Sequence, residues 1–73
     1  MTSNIYSEEY KKVTEKLRNA RIDSGLTQEQ VAKKLGKPQS YISKSEAGER
    51  RLDITELKKF ADLYKKTINY FIK

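Results

Sequence analysis

The stretch Gln28-Glu29-Gln30-Val31-Ala32-Lys33-Lys34-Leu35-Gly36-Lys37-Pro38-Gln39-Ser40-Tyr41-Ile42-Ser43-Lys44-Ser45-Glu46-Ala47 decides the fold of this 73-residue chain. It reads as two short helices with only Gly36-Lys37 between them. Helices joined so tightly cross steeply, and the residue at their contact must be small, which selects Ala32. Val31, Leu35 and Ile42 supply an apolar wedge beneath the crossing, and Gly36 turns the chain with no Cβ to clash. An apolar residue, then alanine, an apolar residue and glycine three and four positions on, and isoleucine six beyond the glycine make up the spacing of a helix-turn-helix.

Outward from this stretch, local signals give further helices. Thr27 with Gln30 has the form of a capping box, Asp53 with Glu56 repeats it with a carboxylate, and Thr67 can cap a last short helix. Pro38 suits the first helical position, where its fixed φ helps and its missing N–H is not needed. Gly25, Gly36 and Gly48 each follow a periodic stretch, as helix-ending residues do. The result is five helices near 7–24, 28–35, 38–47, 53–64 and 67–72, behind a loose lead-in, residues 1–6. One arc of the first helix collects Tyr6, Tyr10, Val13, Leu17, Ala20 and Ser24, and one arc of the fourth collects Ile54, Leu57, Phe60, Ala61 and Tyr64. No stretch alternates like a strand, so the fold class is all-α in one domain, residues 7–73.

Composition limits the chemistry. The chain has no cysteine and no histidine, which removes disulfides, Cys/His zinc sites and imidazole-based nucleophile pairs. An enzyme is not expected, nor a cofactor or metal. With 36% apolar residues and a stability of about 4–11 kcal/mol for this length, apolar burial must carry the fold alone. Sixteen Lys+Arg against 10 Asp+Glu leave a charge of +6, which favours a polyanionic partner. Tyr70-Phe71-Ile72 is the longest apolar run, too short for a membrane span or a signal-peptide core, so a cytoplasmic location is expected.

The outward face of the third helix can be read from periodicity. At about 100° per residue from Pro38, the residues Gln39, Ser40, Ser43, Lys44 and Ala47 fall between roughly 100° and 240°, and Tyr41, Ile42, Ser45 and Glu46 fall opposite. A short polar face with a glutamine and a lysine suits the major groove, where glutamine pairs bidentately with adenine and lysine reaches guanine. Lys37, Tyr41, Arg50 and Arg51 flank this face and are candidates for phosphate. The paired lysines Lys11, Lys12, Lys58, Lys59, Lys65 and Lys66 read as solvated charge.

Over residues 13–72 the sequence resembles the phage-repressor and Cro-like helix-turn-helix regulators, the XRE family. The resemblance rests on Leu17-Arg18 with Arg21, on Gly25-Leu26-Thr27-Gln28-Glu29-Gln30-Val31-Ala32-Lys33-Lys34-Leu35-Gly36, on Gln39-Ser40-Tyr41-Ile42-Ser43-Lys44, on Glu46-Ala47-Gly48 and on Ile68-Asn69-Tyr70-Phe71. The segment from Tyr41 to Asp53 is similar to small stand-alone members, including restriction–modification controllers. The resemblance implies a compact five-helix lambda-repressor-like domain that regulates transcription as a homodimer on a two-fold-symmetric double-stranded DNA operator. It also implies base reading by Gln39, Ser40, Ser43 and Lys44, and a phosphate grip by Gln28, which would brace the first residue of the reading helix. It pairs Arg21 with Glu46 as a structural ion pair. It places the dimer contact at Ile68 and Phe71, with Leu52 and Leu63 at its edge.

Three departures from the family pattern are visible. Ser45 falls where a bulky apolar residue is usual, Lys37 where valine is usual, and Lys65-Lys66 where Gly-Val commonly precedes the last helix. A reading helix less firmly anchored, and a fourth helix ending without a left-handed glycine, are the expected consequences. No length remains for a small-molecule sensor domain, so regulation is expected through concentration, dimerisation or a regulatory protein partner. The alternative role is that of an antitoxin or adaptor whose main task is to bind a partner protein, through the C-terminal helix or through Ile22, which points away from its helix's apolar stripe.

Overall fold

The computed structural model describes residues 7–73, and the lead-in and Tyr6 lie outside the described residues. Five helices follow one another: α1 (Glu8–Asp23), α2 (Gln28–Leu35), α3 (Gln39–Ala47), α4 (Ile54–Tyr64) and α5 (Ile68–Ile72). No strand occurs among the described residues. α1 lies against α3, α4 and α5, while α2 packs on α3 and α4 on α5.

Side-chain caps start four of the helices. The Ser7 hydroxyl accepts from Tyr10 N at 3.1 Å. Thr27 and Gln30 form a reciprocal box at 3.1 and 2.8 Å, and Asp53 and Glu56 form another at 2.8 and 3.0 Å. Thr67 accepts from Tyr70 N at 3.3 Å. Pro38 sits one position earlier than expected, as the N-cap of α3 with φ −66° and ψ 154°. The ring fixes φ alone, and the extended ψ is as open to it as the helical one.

Gly36 and Gly48 end α2 and α3 at φ 68° and 77°, the left-handed region a Cβ disfavours. α4 ends in the same conformation on a lysine: Lys65 has φ 59°, the only positive value on a non-glycine among the described residues. The turn into α5 therefore keeps the left-handed geometry although the glycine is missing.

The core consists of Leu17, Ala20, Val31, Ala32, Ile42, Leu57, Phe60, Ala61, Tyr64 and Phe71. Ala32, on α2, is buried in this core, and Leu35 packs half-buried against it. Ser45 is fully buried, and its hydroxyl donates to the Tyr41 carbonyl at 2.6 Å, so the polar atom is satisfied within α3 itself. Three positions differ from the periodic reading, one of them Ser24, which is exposed and stands just past α1 as its C-cap. Ile54 is 63% exposed, because it stands in the first turn of α4 at the edge of the buried arc. Thr14 is buried, its hydroxyl donating to the Lys11 carbonyl at 3.0 Å, where α1 passes Gly48 closely.

Candidate nucleic-acid interface

α3 separates its functions by face. Ile42 and Ser45 point inward, and Gln39, Ser40 and Lys44 are exposed with Ser43 half-exposed beside them. The side-chain hydrogen bonds of α3 to the rest of the protein run from Tyr41 and Glu46, on the inner side. The outward donors and acceptors are thus presented to solvent on a helix whose back is fixed.

Glu46 does much of the fixing. Its carboxylate accepts from Arg21 Nε at 2.7 Å and from Arg21 Nη2 at 3.2 Å, while Arg21 Nη1 donates to the Leu26 carbonyl at 3.0 Å. The Arg21 side chain is 13% exposed and the Glu46 side chain 3%. The hydrogen bond to Glu46 raises the Arg21 pKa, against a smaller opposing effect of burial. Gln28 joins the same node, donating from Nε2 to Glu46 Oε1 at 3.1 Å. Its protein partner is therefore Glu46, where the resemblance implied the first residue of α3.

A second cluster borders the other flank of α3. The Tyr41 ring stacks on Phe60, with centroids 6.1 Å apart, and carries Lys37 Nζ at 5.2 Å and the Arg50 guanidinium at 4.5 Å from its centroid. The Tyr41 hydroxyl donates to Glu56 Oε2 at 3.0 Å, and Arg50 Nη2 donates to the same oxygen at 2.7 Å. Burial, then the bond to Glu56, pushes the Tyr41 hydroxyl up to about 12. Lys37, Lys44 and Arg51 are exposed, whereas the ion pairs among the described residues use Arg21, Arg50 and Lys58.

Two contributors escape a reading of periodicity. The Tyr10 hydroxyl donates to the Arg50 carbonyl at 2.7 Å and accepts from Leu52 N at 2.9 Å, clipping the α3–α4 loop to α1. Glu56 signals only its capping box in the sequence, yet it also holds Tyr41 and Arg50.

The residues expected at a dimer contact divide. Phe71 is 1% exposed and belongs to the monomer core, because α5 is turned so that its ring faces α1 and α4; it offers almost no area to a partner. Leu52 and Ile68 are half-buried. Leu63 lines a separate groove with Leu26, Tyr64 and Lys65. Among the described residues, the exposed large apolar side chains are Ile72 (58%), next to Arg51, Tyr10 and Val13 in a shallow groove, Ile54 and, on α1, Ile22 at 52%.

A braced helix crossing that presents a polar and cationic face, in a chain of charge +6, defines a DNA-binding regulator of the helix-turn-helix class. The helix-turn-helix family model matches residues 17–71, well over half of the chain. The chain belongs to that family, in its phage-repressor and Cro-like (XRE) branch. The comparisons with curated proteins and with solved structures returned no match. No helix among the described residues is long and apolar enough to cross a membrane.

Proposed function

We infer that this chain is a sequence-specific transcriptional regulator, of repressor or controller type, which binds a two-fold-symmetric operator as a homodimer. α3 enters the major groove, where Gln39, Ser40, Ser43 and Lys44 read base edges, and Lys37 and Arg51 neutralise phosphates. Main-chain and side-chain phosphate contacts set the register, whereas base contacts set the sequence. The observation that carries this reading is the division of α3 into an outward face free of internal hydrogen bonds and an inward face tied by Ile42, Tyr41 and Glu46.

One reading helix spans too few base pairs for a genomic address. A dimer places two of them about 34–36 Å apart on one face of the duplex. Leu52, Ile54, Ile68 and Ile72 are apolar residues with area to offer such a contact.

Selection of bound sequences from a random duplex pool, at two salt concentrations, tests the proposal. A two-fold-symmetric consensus is expected. Binding without sequence preference would overturn the base-reading assignment, and absence of binding at low salt would overturn the DNA reading itself. Gln39→Ala is expected to change the recovered sequence, since one bidentate base contact is worth about 1–3 kcal/mol. Arg51→Ala is expected to weaken binding to all sequences and to flatten the slope of log K against log salt by about 0.9.

A further inference from the structure

Of Lys37, Arg50 and Arg51, the cations flanking α3, Arg50 alone is paired with an acid among the described residues. Its Nη2 lies 2.7 Å from Glu56 Oε2, its Nη1 donates to the Arg51 carbonyl at 3.2 Å, and one face of its guanidinium covers Tyr41. Lys37 shares the same ring and has no acid partner among the described residues. Glu56 itself is held from three sides: Oε1 accepts from Asp53 N at 3.0 Å, and Oε2 accepts from Tyr41 and Arg50. A carboxylate so anchored stays beside the guanidinium, and the pair as a unit carries no net charge toward a phosphate.

We propose that Glu56 is a built-in brake on the sequence-independent part of DNA binding, an internal acid that occupies Arg50 in the place of a backbone phosphate. The proposal rests on the DNA-binding reading above and adds to it a residue that never touches the duplex. Its effect is on affinity and salt dependence for every sequence, because a phosphate contact carries no base information. An opposite role is also physically defined: Glu56 could aim the remaining N–H donors of Arg50 at a phosphate, and then its loss would weaken binding. The two roles differ in the sign of one measurement.

Glu56→Gln supplies that measurement. Glutamine serves in a capping box as well as glutamate does, so its oxygen can keep the bond from Asp53 N. Its amide nitrogen, in the place of Oε2, can donate to the Tyr41 hydroxyl but offers Arg50 no acceptor. Binding to a random-sequence duplex is compared over a salt series, with thermal melting to verify the fold. With Arg50 released to one phosphate, the slope of log K against log salt is expected to steepen by about 0.9, which corresponds to roughly eightfold tighter binding at 0.1 M salt and none near 1 M. The consensus selected from a random pool stays that of the wild type. In an Arg50→Gln background the same Glu56→Gln change is expected to lose this steepening.

A slope that is unchanged or flatter in Glu56→Gln overturns the proposal while leaving the DNA reading intact, whereas a wild-type protein that binds no duplex at low salt overturns both. A second measurement needs no change at Glu56. In side-chain NMR of the wild type saturated with random duplex, the Lys37 ammonium signal is expected to shift and the Arg50 guanidinium signal to stay. A shift of Arg50 as large as that of Lys37 contradicts the brake.

Discussion

Glu46 takes three donors on two oxygens, and those donors come from α1 and α2. A carboxylate this deeply buried depends on its partners, since removal of one member of a buried pair leaves a charge that water no longer reaches. Arg21→Ala is therefore expected to destabilise the fold by about 3–5 kcal/mol in urea titration, a large part of what a domain of this size holds. Replacing both residues by apolar ones, Arg21→Met with Glu46→Leu, is expected to restore most of that loss, because the pair's own net contribution is small. A single-variant loss below about 1 kcal/mol would mean that the pair behaves as a surface bridge. Tyr41 gives a pH dependence of definite sign. Its hydroxyl is held at about 12 against an ordinary 10.0, so the folded state keeps the proton more tightly than the unfolded one. The associated stability is complete below pH 10 and is lost as pH rises through about 12. Burial raises the Tyr64 hydroxyl as well, which adds to the same trend. Helicity followed by circular dichroism is expected to fall over that alkaline window, and Tyr41→Phe is expected to shift the fall to higher pH.

Helices whose limits are encoded locally could be read from the sequence, and those set by distant packing could not. Thr27 with Gln30 and Asp53 with Glu56 are signals within four residues, and both boxes form in the structure. The outward face of α3 is legible for a related reason: a 3.6-residue period and a few apolar anchors such as Ile42 decide which side is covered. The network of Tyr41, Arg50 and Glu56 has no such local period, since it exists only because α3 lies against α4 through the Tyr41–Phe60 stack. Ile54 is the converse case, an apolar residue in phase with its helix but too near its end to be covered. At the end of α4 the missing glycine is a visible weakness. A left-handed L-residue costs about 1–2 kcal/mol, and glycine gives back about 0.4–1 kcal/mol of that through the freer unfolded chain. Lys65→Gly is thus expected to stabilise the protein by about 0.5–1 kcal/mol, which raises Tm by a few degrees in a domain of this length. No rise in Tm would show that the α4–α5 turn holds Lys65 without strain.

At the scale of the molecule, the monomer spans 36 Å in its longest dimension. In the homodimer proposed above, two α3 helices on successive major grooves stand one turn of the duplex apart, about 34–36 Å. The proposed contact draws on apolar residues that the monomer leaves open, and α5 leaves Ile72 58% exposed while it sinks Phe71 into the core. Ile72 and Arg51 line the same groove, so a partner copy covering Ile72 would sit next to a residue proposed above to hold phosphate, and would couple dimerisation to the proposed grip on DNA. Ile72→Asp removes apolar area and places a like charge on each copy across the two-fold axis. Because Ile72 is more than half exposed, the helix content and Tm are expected to stay close to those of the wild type. Sedimentation equilibrium is expected to show a dimer for the wild type at micromolar concentration and a monomer for the variant, and the variant is expected to bind a full operator no more tightly than two independent half-sites. A variant that stays folded and dimeric would place the contact elsewhere on the molecule, with the exposed Ile22 of α1 as the next surface to alter.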